Sequence, residues 1–280
     1  MNSLIDTFKL SNGVEIPCIG FGTWQTPEGQ VAIDTVKYAI KTGYRHIDTA
    51  AIYGNEKSVG QAVAESEVER KELFITTKLW NTERGYETTL RAFEQSMKNL
   101  KLEYLDLYLI HWPAIGEEGA KINSETWKAF EKLYKEGRIR SIGVSNFLEH
   151  HLRSLLDTAE IVPMVNQIEY HPGYRQQDTV TFCESHNILI EAWSPLGTGR
   201  LLKNPELAEI AAKYNKSVAQ LCIKWCLQNG TLPLPKSITQ QRILENTQLF
   251  DFTITDADMK TCNDLPYIGG SGLHPDEIDF

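Results

Sequence analysis

The sequence predicts an α/β chain folded as an eight-stranded (β/α) barrel, a TIM barrel. Three observations predict it: eight short apolar runs recur, amphipathic stretches of helical period lie between them, and no linker or composition break divides the 280 residues. The runs are Ile16–Gly22, Tyr44–Asp48, Leu73–Lys78, Leu105–His111, Ser141–Ser145, Met164–Glu169, Ile188–Trp193 and Leu232–Lys236. Their length of five to seven residues and their β-branched and aromatic side chains suit strands better than helices. Strands that alternate with helices pair in parallel. A doubly wound open sheet shares that alternation, but eight near-equal units favour closure. The whole chain, 1–280, reads as a single barrel domain.

Ahead of the first unit, Thr7–Leu10 and Val14–Pro17 flank Asn12-Gly13, a pair that suits a type I′ turn, so a short N-terminal hairpin is expected. In Tyr86–Leu102 the apolar residues Leu90, Phe93, Met97 and Leu100 fall on one helical face. Trp127, Phe130 and Leu133 or Tyr134 repeat the pattern behind Ser124, read as an N-cap; Val218, Leu221, Cys222 and Trp225 repeat it behind Ser217. Cys222 and Cys226, four apart, read as a core face of that helix rather than a metal site. A further helix is expected to begin near Ser237–Thr239. From Tyr267 the glycines 269, 270 and 272 and several acidic residues read as a flexible C-terminal loop.

Composition narrows the function classes. With 41% hydrophobic and 23% charged residues a large core can form. The net charge of −9 is spread along the chain, which argues against nucleic-acid or anionic-membrane partners. No apolar run approaches the roughly 18 residues a membrane span needs. The N-terminal residues lack a basic segment followed by an apolar one, so the cytoplasm is the default location. Five cysteines form an odd set without a CxxC pair and read as free thiols in a reducing compartment. No metal is expected: His46, His150, His151, His171, His186 and His274 show no ligand spacing.

Chemistry in such a barrel sits at the C-terminal ends of the strands. Those ends read Asp48, Lys78 and His111 on the second, third and fourth runs. One charge at a strand end merely marks the exit to solvent. Three in succession, of opposite signs and with an imidazole, point to a site. Tyr53 follows Asp48 by five residues in the next loop.

The stretch Gly43-Tyr-Arg-His-Ile-Asp48-Thr-Ala-Ala-Ile-Tyr53-Gly-Asn-Glu56 closely resembles the signature of the aldo-keto reductase superfamily. The segments 75–80, 107–113, 142–147, 166–172, 192–197 and 234–238, with Arg242, Glu245 and Asn246 beyond, resemble that family's later blocks in the family's order. The chain is most similar to compact bacterial-type members such as the diketogluconate and glyoxal reductases. The resemblance implies a monomeric NADPH-dependent reductase that transfers a hydride to aldehydes or ketones, with α-dicarbonyls, keto-sugars or aromatic aldehydes as substrates. It implies Asp48, Tyr53, Lys78 and His111 as the catalytic group. The chemistry agrees: a phenol near pKa 10 is a weak acid, a nearby lysine favours its ionised form, Asp48 keeps that lysine charged, and neutral His111 orients the carbonyl.

No G-x-G-x-x-G unit is present, since Gly20-Phe-Gly22 stops short of a third glycine, so a Rossmann site is unsupported. The resemblance instead implies Trp193 stacked on the nicotinamide and Ser145, Asn146 and Gln167 on its carboxamide. Lys236 and Arg242 would hold the 2′-phosphate at a helix start, and Glu245 and Asn246 the adenine side. Gly22, Thr23, Asp48, Ser194, Leu196, Ser237 and Ile238 complete the implied cofactor contacts. Trp24, Trp80 and Trp112, with His111, would line the substrate pocket. Two other classes remain open on the residues: a lyase forming a Schiff base on Lys78, and a non-catalytic cofactor-binding relative.

Overall fold

Each apolar run supplies one strand of a single parallel sheet in a computed structural model whose described residues are 1–278; Asp279 and Phe280, the end of the anticipated C-terminal loop, lie outside the described residues. The barrel strands are β3 (Gly20–Gly22), β4 (His46–Asp48), β5 (Phe74–Leu79), β6 (Leu105–Ile110), β7 (Ile139–Ser145), β8 (Val165–Glu169), β9 (Leu189–Trp193) and β10 (Leu232–Leu234). They are hydrogen-bonded in chain order around the sheet. Every residue of β5, β6 and β8 is buried, which is why these strands read as unbroken apolar runs rather than as alternation.

Closure occurs where β3 meets β10: the Gly22 N–H donates to the Pro235 carbonyl at 3.0 Å. At this seam a Cβ on Gly20 would lie 2.4 Å from Leu234 Cδ2 and 2.6 Å from His46 Nδ1, so only glycine lets the strands approach. Outside the barrel run α1 (Gln30–Lys41), α2 (Glu56–Ala64), α3 (Tyr86–Leu100), α4 (Gly119–Lys135), α5 (Glu149–Leu156) and α6 (Gln177–Ser185). They are followed by α7 (Pro205–Lys213), α8 (Val218–Gln228), α9 (Gln240–Glu245) and α10 (Asp256–Asn263). The predicted face of α3 is the buried one: Phe93 meets Tyr108 of β6 at 5.5 Å, and Tyr108 stacks on Phe130 of α4 at 4.6 Å. All five cysteines are buried free thiols, with Cys222 and Cys226 on the core face of α8.

Several local expectations change. The hairpin forms, with β1 (Thr7–Lys9) antiparallel to β2 (Glu15–Pro17), but its turn is not type I′. Only Gly13 has positive φ (87°), and its N–H bonds to the Leu10 carbonyl at 2.8 Å. That is a type I turn across Ser11-Asn12 closed by a left-handed glycine. Ser124 is not an N-cap: α4 starts at Gly119, because Asn123 clasps both backbone groups of Ala114 and pulls the loop into the helix. Ser217 does cap α8, as a capping box with Gln220. Helices α7 and α10 were not anticipated.

The C-terminal segment has no helix or strand among its described residues, yet it is tied down. Ile268 N–H bonds to the Gly173 carbonyl, Ser271 N–H to Glu169 Oε2 at 2.8 Å, and Arg200 to the Gly270 carbonyl. Among the described residues no helix is long and apolar enough to cross a membrane.

Candidate active site

Asp48 ends β4, Lys78 lies one residue inside the end of β5, and His111 directly follows β6. Parallel strands deliver all three side chains to one end of the barrel. Lys78 is fully buried, and its ammonium donates to Asp48 Oδ1 at 2.6 Å and to the Thr49 carbonyl at 2.9 Å. The same ammonium lies 5.2 Å from the centre of the Tyr53 ring. His111 meets the Tyr53 ring edge-on at 5.7 Å and the Trp80 ring at 5.3 Å. The four side chains that the sequence singled out therefore form one cluster.

Burial works to strip Lys78 of its charge, but its charged neighbours, Asp48 foremost, outweigh it and hold the ammonium above the ordinary lysine value. For Tyr53, burial raises the phenol and Asp48 adds to it, while Lys78 pulls the other way; the net direction is upward. The phenol thus keeps its proton at neutral pH, with a cation beside it ready for the ionised form. Burial, and then Lys78, drives His111 well below the usual imidazole range, so it is neutral. Its Nδ1 is buried with no partner among the described residues.

The loop that carries Tyr53 is held from below. Asn55 donates to the carbonyls of Thr23 (2.9 Å) and Thr26 (3.1 Å) and accepts from Thr49 Oγ1 at 2.7 Å. Buried Glu56 accepts from Thr77 Oγ1 of β5 at 2.7 Å and from Asn99 of α3 at 2.9 Å. Neither was assigned a role from sequence, although both stand in the quoted 43–56 stretch.

The residues expected around the carboxamide also converge. Asn146, at φ 62°, donates to the His111 carbonyl (2.9 Å) and to Ser145 Oγ (3.1 Å), and it accepts from Trp193 Nε1 at 2.8 Å. Gln167 Nε2 donates to Asp48 Oδ2 at 2.9 Å and to Glu191 Oε2 at 2.7 Å. Thr23 donates from both N–H and Oγ1 to the Asp48 carbonyl. Gly22 lies at the seam, Ser194 has φ 48°, and Leu196 packs on the core.

Lys236 is half-buried, and among the described residues its ammonium hydrogen-bonds only to the Gln25 carbonyl, at 3.4 Å, while Arg242 is exposed; neither forms an ion pair among those residues. Ser237 is nearly buried and Ile238 exposed, and α9 begins only at Gln240 and has six residues. An anion here would accordingly rest on the two cations more than on the helix end. Glu245 is half-buried and bonded to Gln241, and Asn246 is buried. Of the three tryptophans, Trp24 is 48% exposed, Trp80 is half-buried and Trp112 only 6% exposed, so Trp24 and Trp80 offer the larger surface.

One cluster had no signal in sequence spacing. His150 and His151 at the start of α5 bring their Nε2 atoms to Asp276 Oδ1 at 2.9 and 3.2 Å. His151 Nδ1 accepts the Leu148 N–H at 3.2 Å, so the neutral ring carries its proton on Nε2 and donates it to Asp276. A metal on that nitrogen would need the opposite tautomer. The geometry is that of a hydrogen-bonded tie for the C-terminal segment.

Comparison with known proteins shows the family. A model described as "Aldo/keto reductase family" matches residues 18–266. A Bacillus subtilis (strain 168) protein named glyoxal reductase is 54% identical over 278 residues, 99% of each chain. Among solved structures, an aldo-keto reductase from a Medee basin deep-sea metagenome library superposes with a TM-score of 0.93 at 44% identity, covering 98% of this chain and 100% of that one. A mutant of Gox0644 in complex with NADPH superposes with a TM-score of 0.92 at 42% identity and 98% coverage of both.

Proposed function

Since the chain belongs to the aldo/keto reductase family, we propose that it reduces the carbonyl of small aldehydes and α-dicarbonyls with NADPH, and that Tyr53 supplies the proton. The relative named glyoxal reductase supports the substrate class. The NADPH-bound neighbour and the two cations Lys236 and Arg242, unpaired among the described residues, support the cofactor. NADPH, when bound, supplies the hydride. Ser145, Asn146 and Gln167 hold its carboxamide, Trp193 lies against its ring, and Lys236 and Arg242 take its 2′-phosphate.

The protein's own residues supply orientation and the proton. Neutral His111 donates to the substrate oxygen and directs it toward Tyr53. As negative charge grows on that oxygen, the Tyr53 phenol gives up its proton, and the adjacent Lys78 ammonium stabilises the phenolate left behind. Asp48 keeps Lys78 charged throughout. The contact of the Lys78 ammonium with both Asp48 and the Tyr53 ring carries this reading. It also weakens the lyase alternative, because a Schiff base needs a free neutral amine and Lys78 is held as an ammonium.

The test is Tyr53→Phe with glyoxal and methylglyoxal, followed by the loss of NADPH absorbance. We expect turnover to drop about 100-fold or more, the scale of general-acid catalysis, with NADPH binding kept. Turnover within a few-fold of the wild type would remove Tyr53 as the donor.

A further inference from the structure

Gln167 lies between two carboxyl groups inside the barrel. Its Nε2 has two hydrogens, and both are engaged: one by Asp48 Oδ2 at 2.9 Å and one by Glu191 Oε2 at 2.7 Å. Turning this amide over would set Oε1 against the Asp48 carboxylate, which has no hydrogen to give. The Asp48 contact therefore fixes which way the amide faces, Glu191 takes its other hydrogen, and Oε1, which accepts nothing among the described residues, is the atom left to meet a ligand.

Asp48 has another task, since its Oδ1 holds Lys78. Glu191 has none that the mechanism uses. It projects from the middle of β9 and is fully buried, and among the described residues it makes no close ion pair: His46 Nε2 stands 3.9 Å from Oε1, which has no hydrogen-bond partner there. A leucine or methionine would fill that space at lower cost, because a buried carboxyl gives up its hydration. What Glu191 offers that they do not is an acceptor aimed at Gln167. Burial, with the Asp48 charge, pushes its carboxyl up to about 8. At neutral pH it accepts from Gln167 as a neutral acid and adds no second negative charge to the Asp48–Lys78 pair.

We propose that Glu191 is a positioning residue: through Gln167 it presents Oε1 to the cofactor, and so favours a dinucleotide whose carboxamide has an N–H to donate. This rests on Gln167 holding the carboxamide, as argued above.

The experiment compares NADP⁺ with its acetylpyridine analogue, in which a methyl group replaces the amide NH₂. Both are titrated by quenching of tryptophan fluorescence. One hydrogen bond to a buried acceptor predicts that the wild type binds NADP⁺ about tenfold more tightly than the analogue. Glu191→Gln keeps an acceptor oxygen and should hold that ratio within about twofold, whereas Glu191→Met keeps the length without an acceptor and should bring it to about threefold or less, chiefly by weakening NADP⁺. A wild type that does not discriminate overturns the carboxamide reading of Gln167 and this inference with it. A wild type that discriminates, beside a Glu191→Met that discriminates equally, overturns the role of Glu191 alone. Should Glu191→Met fail to fold, Glu191→Gln decides, because loss of the ratio there contradicts a role that needs only an acceptor.

Discussion

Lys236 is a half-buried cation with no carboxylate to answer it among the described residues, and burial pulls its pKa below the ordinary lysine value. Holding such a charge out of water is unfavourable unless an anion arrives to meet it. Arg242, also unpaired among the described residues, stands six positions on, and its planar fork suits phosphate. If the anion is the 2′-phosphate, Lys236→Ala removes one charge-assisted hydrogen bond and should weaken NADPH about tenfold or more, while NADH, which lacks that phosphate, should change less than about twofold. Fluorescence titration of both cofactors measures this directly. An equal loss with both would mean that Lys236 does not read the phosphate.

Catalytic side chains are only as exact as the loop that carries them, and here the critical element is the 49–56 connection between β4 and α2. Its one short turn, Ala51–Tyr53, is too small to hold itself, so Asn55 anchors it with three buried hydrogen bonds to Thr23, Thr26 and Thr49. Asn55→Ala should cost about 2–4 kcal/mol of stability, the sum of three modest bonds and the carbonyls left unsatisfied. It should also lower kcat at least about tenfold through a displaced Tyr53. Urea unfolding and steady-state kinetics separate the two effects, and an unchanged kcat in the folded variant would show that Asn55 serves stability alone. The sequence made the strands and the cluster at their ends readable because parallel barrel strands are buried on both faces, so Asp48, Lys78 and His111 stand out at the close of apolar runs. It could not show what long-range contacts decide. Ser124 looks like a cap but lies inside α4 because Asn123 reaches back to Ala114. Glu191 is one acid within an apolar run, and its meaning depends on Gln167, 24 residues away. His150 finds Asp276 across 126 residues.

Across the whole molecule, the barrel interior holds a chain of polar groups from Lys78 through Asp48, Gln167 and Glu191 toward His46 and Thr76. These groups set how stability varies with pH. His46 is pushed down to about 3 by burial and then Lys78, His151 down to about 4 chiefly by burial, and His111 well below its usual 6.5. Below pH 6.5 the unfolded chain takes up protons that these folded imidazoles refuse, so stability falls as the pH drops. Glu191 works in the opposite sense: folded it titrates near 8, unfolded near 4.5, so between those values only the folded state holds the proton. From 4.5 to 6.5 three imidazoles oppose one carboxyl and stability rises with pH. Above 6.5 the imidazoles are neutral in both states, only Glu191 counts, and stability declines toward pH 8. Over that interval one proton is worth about 2 kcal/mol, or a decrease in Tm of roughly 3–4 °C. Thermal denaturation from acid to mildly alkaline pH should therefore show a maximum near the histidine value. In Glu191→Gln, which has no proton to lose, the alkaline decline should flatten while the acid limb stays. If the decline persists unchanged in that variant, the proton released above neutrality belongs to another group, and Glu191 is ionised in the barrel at neutral pH.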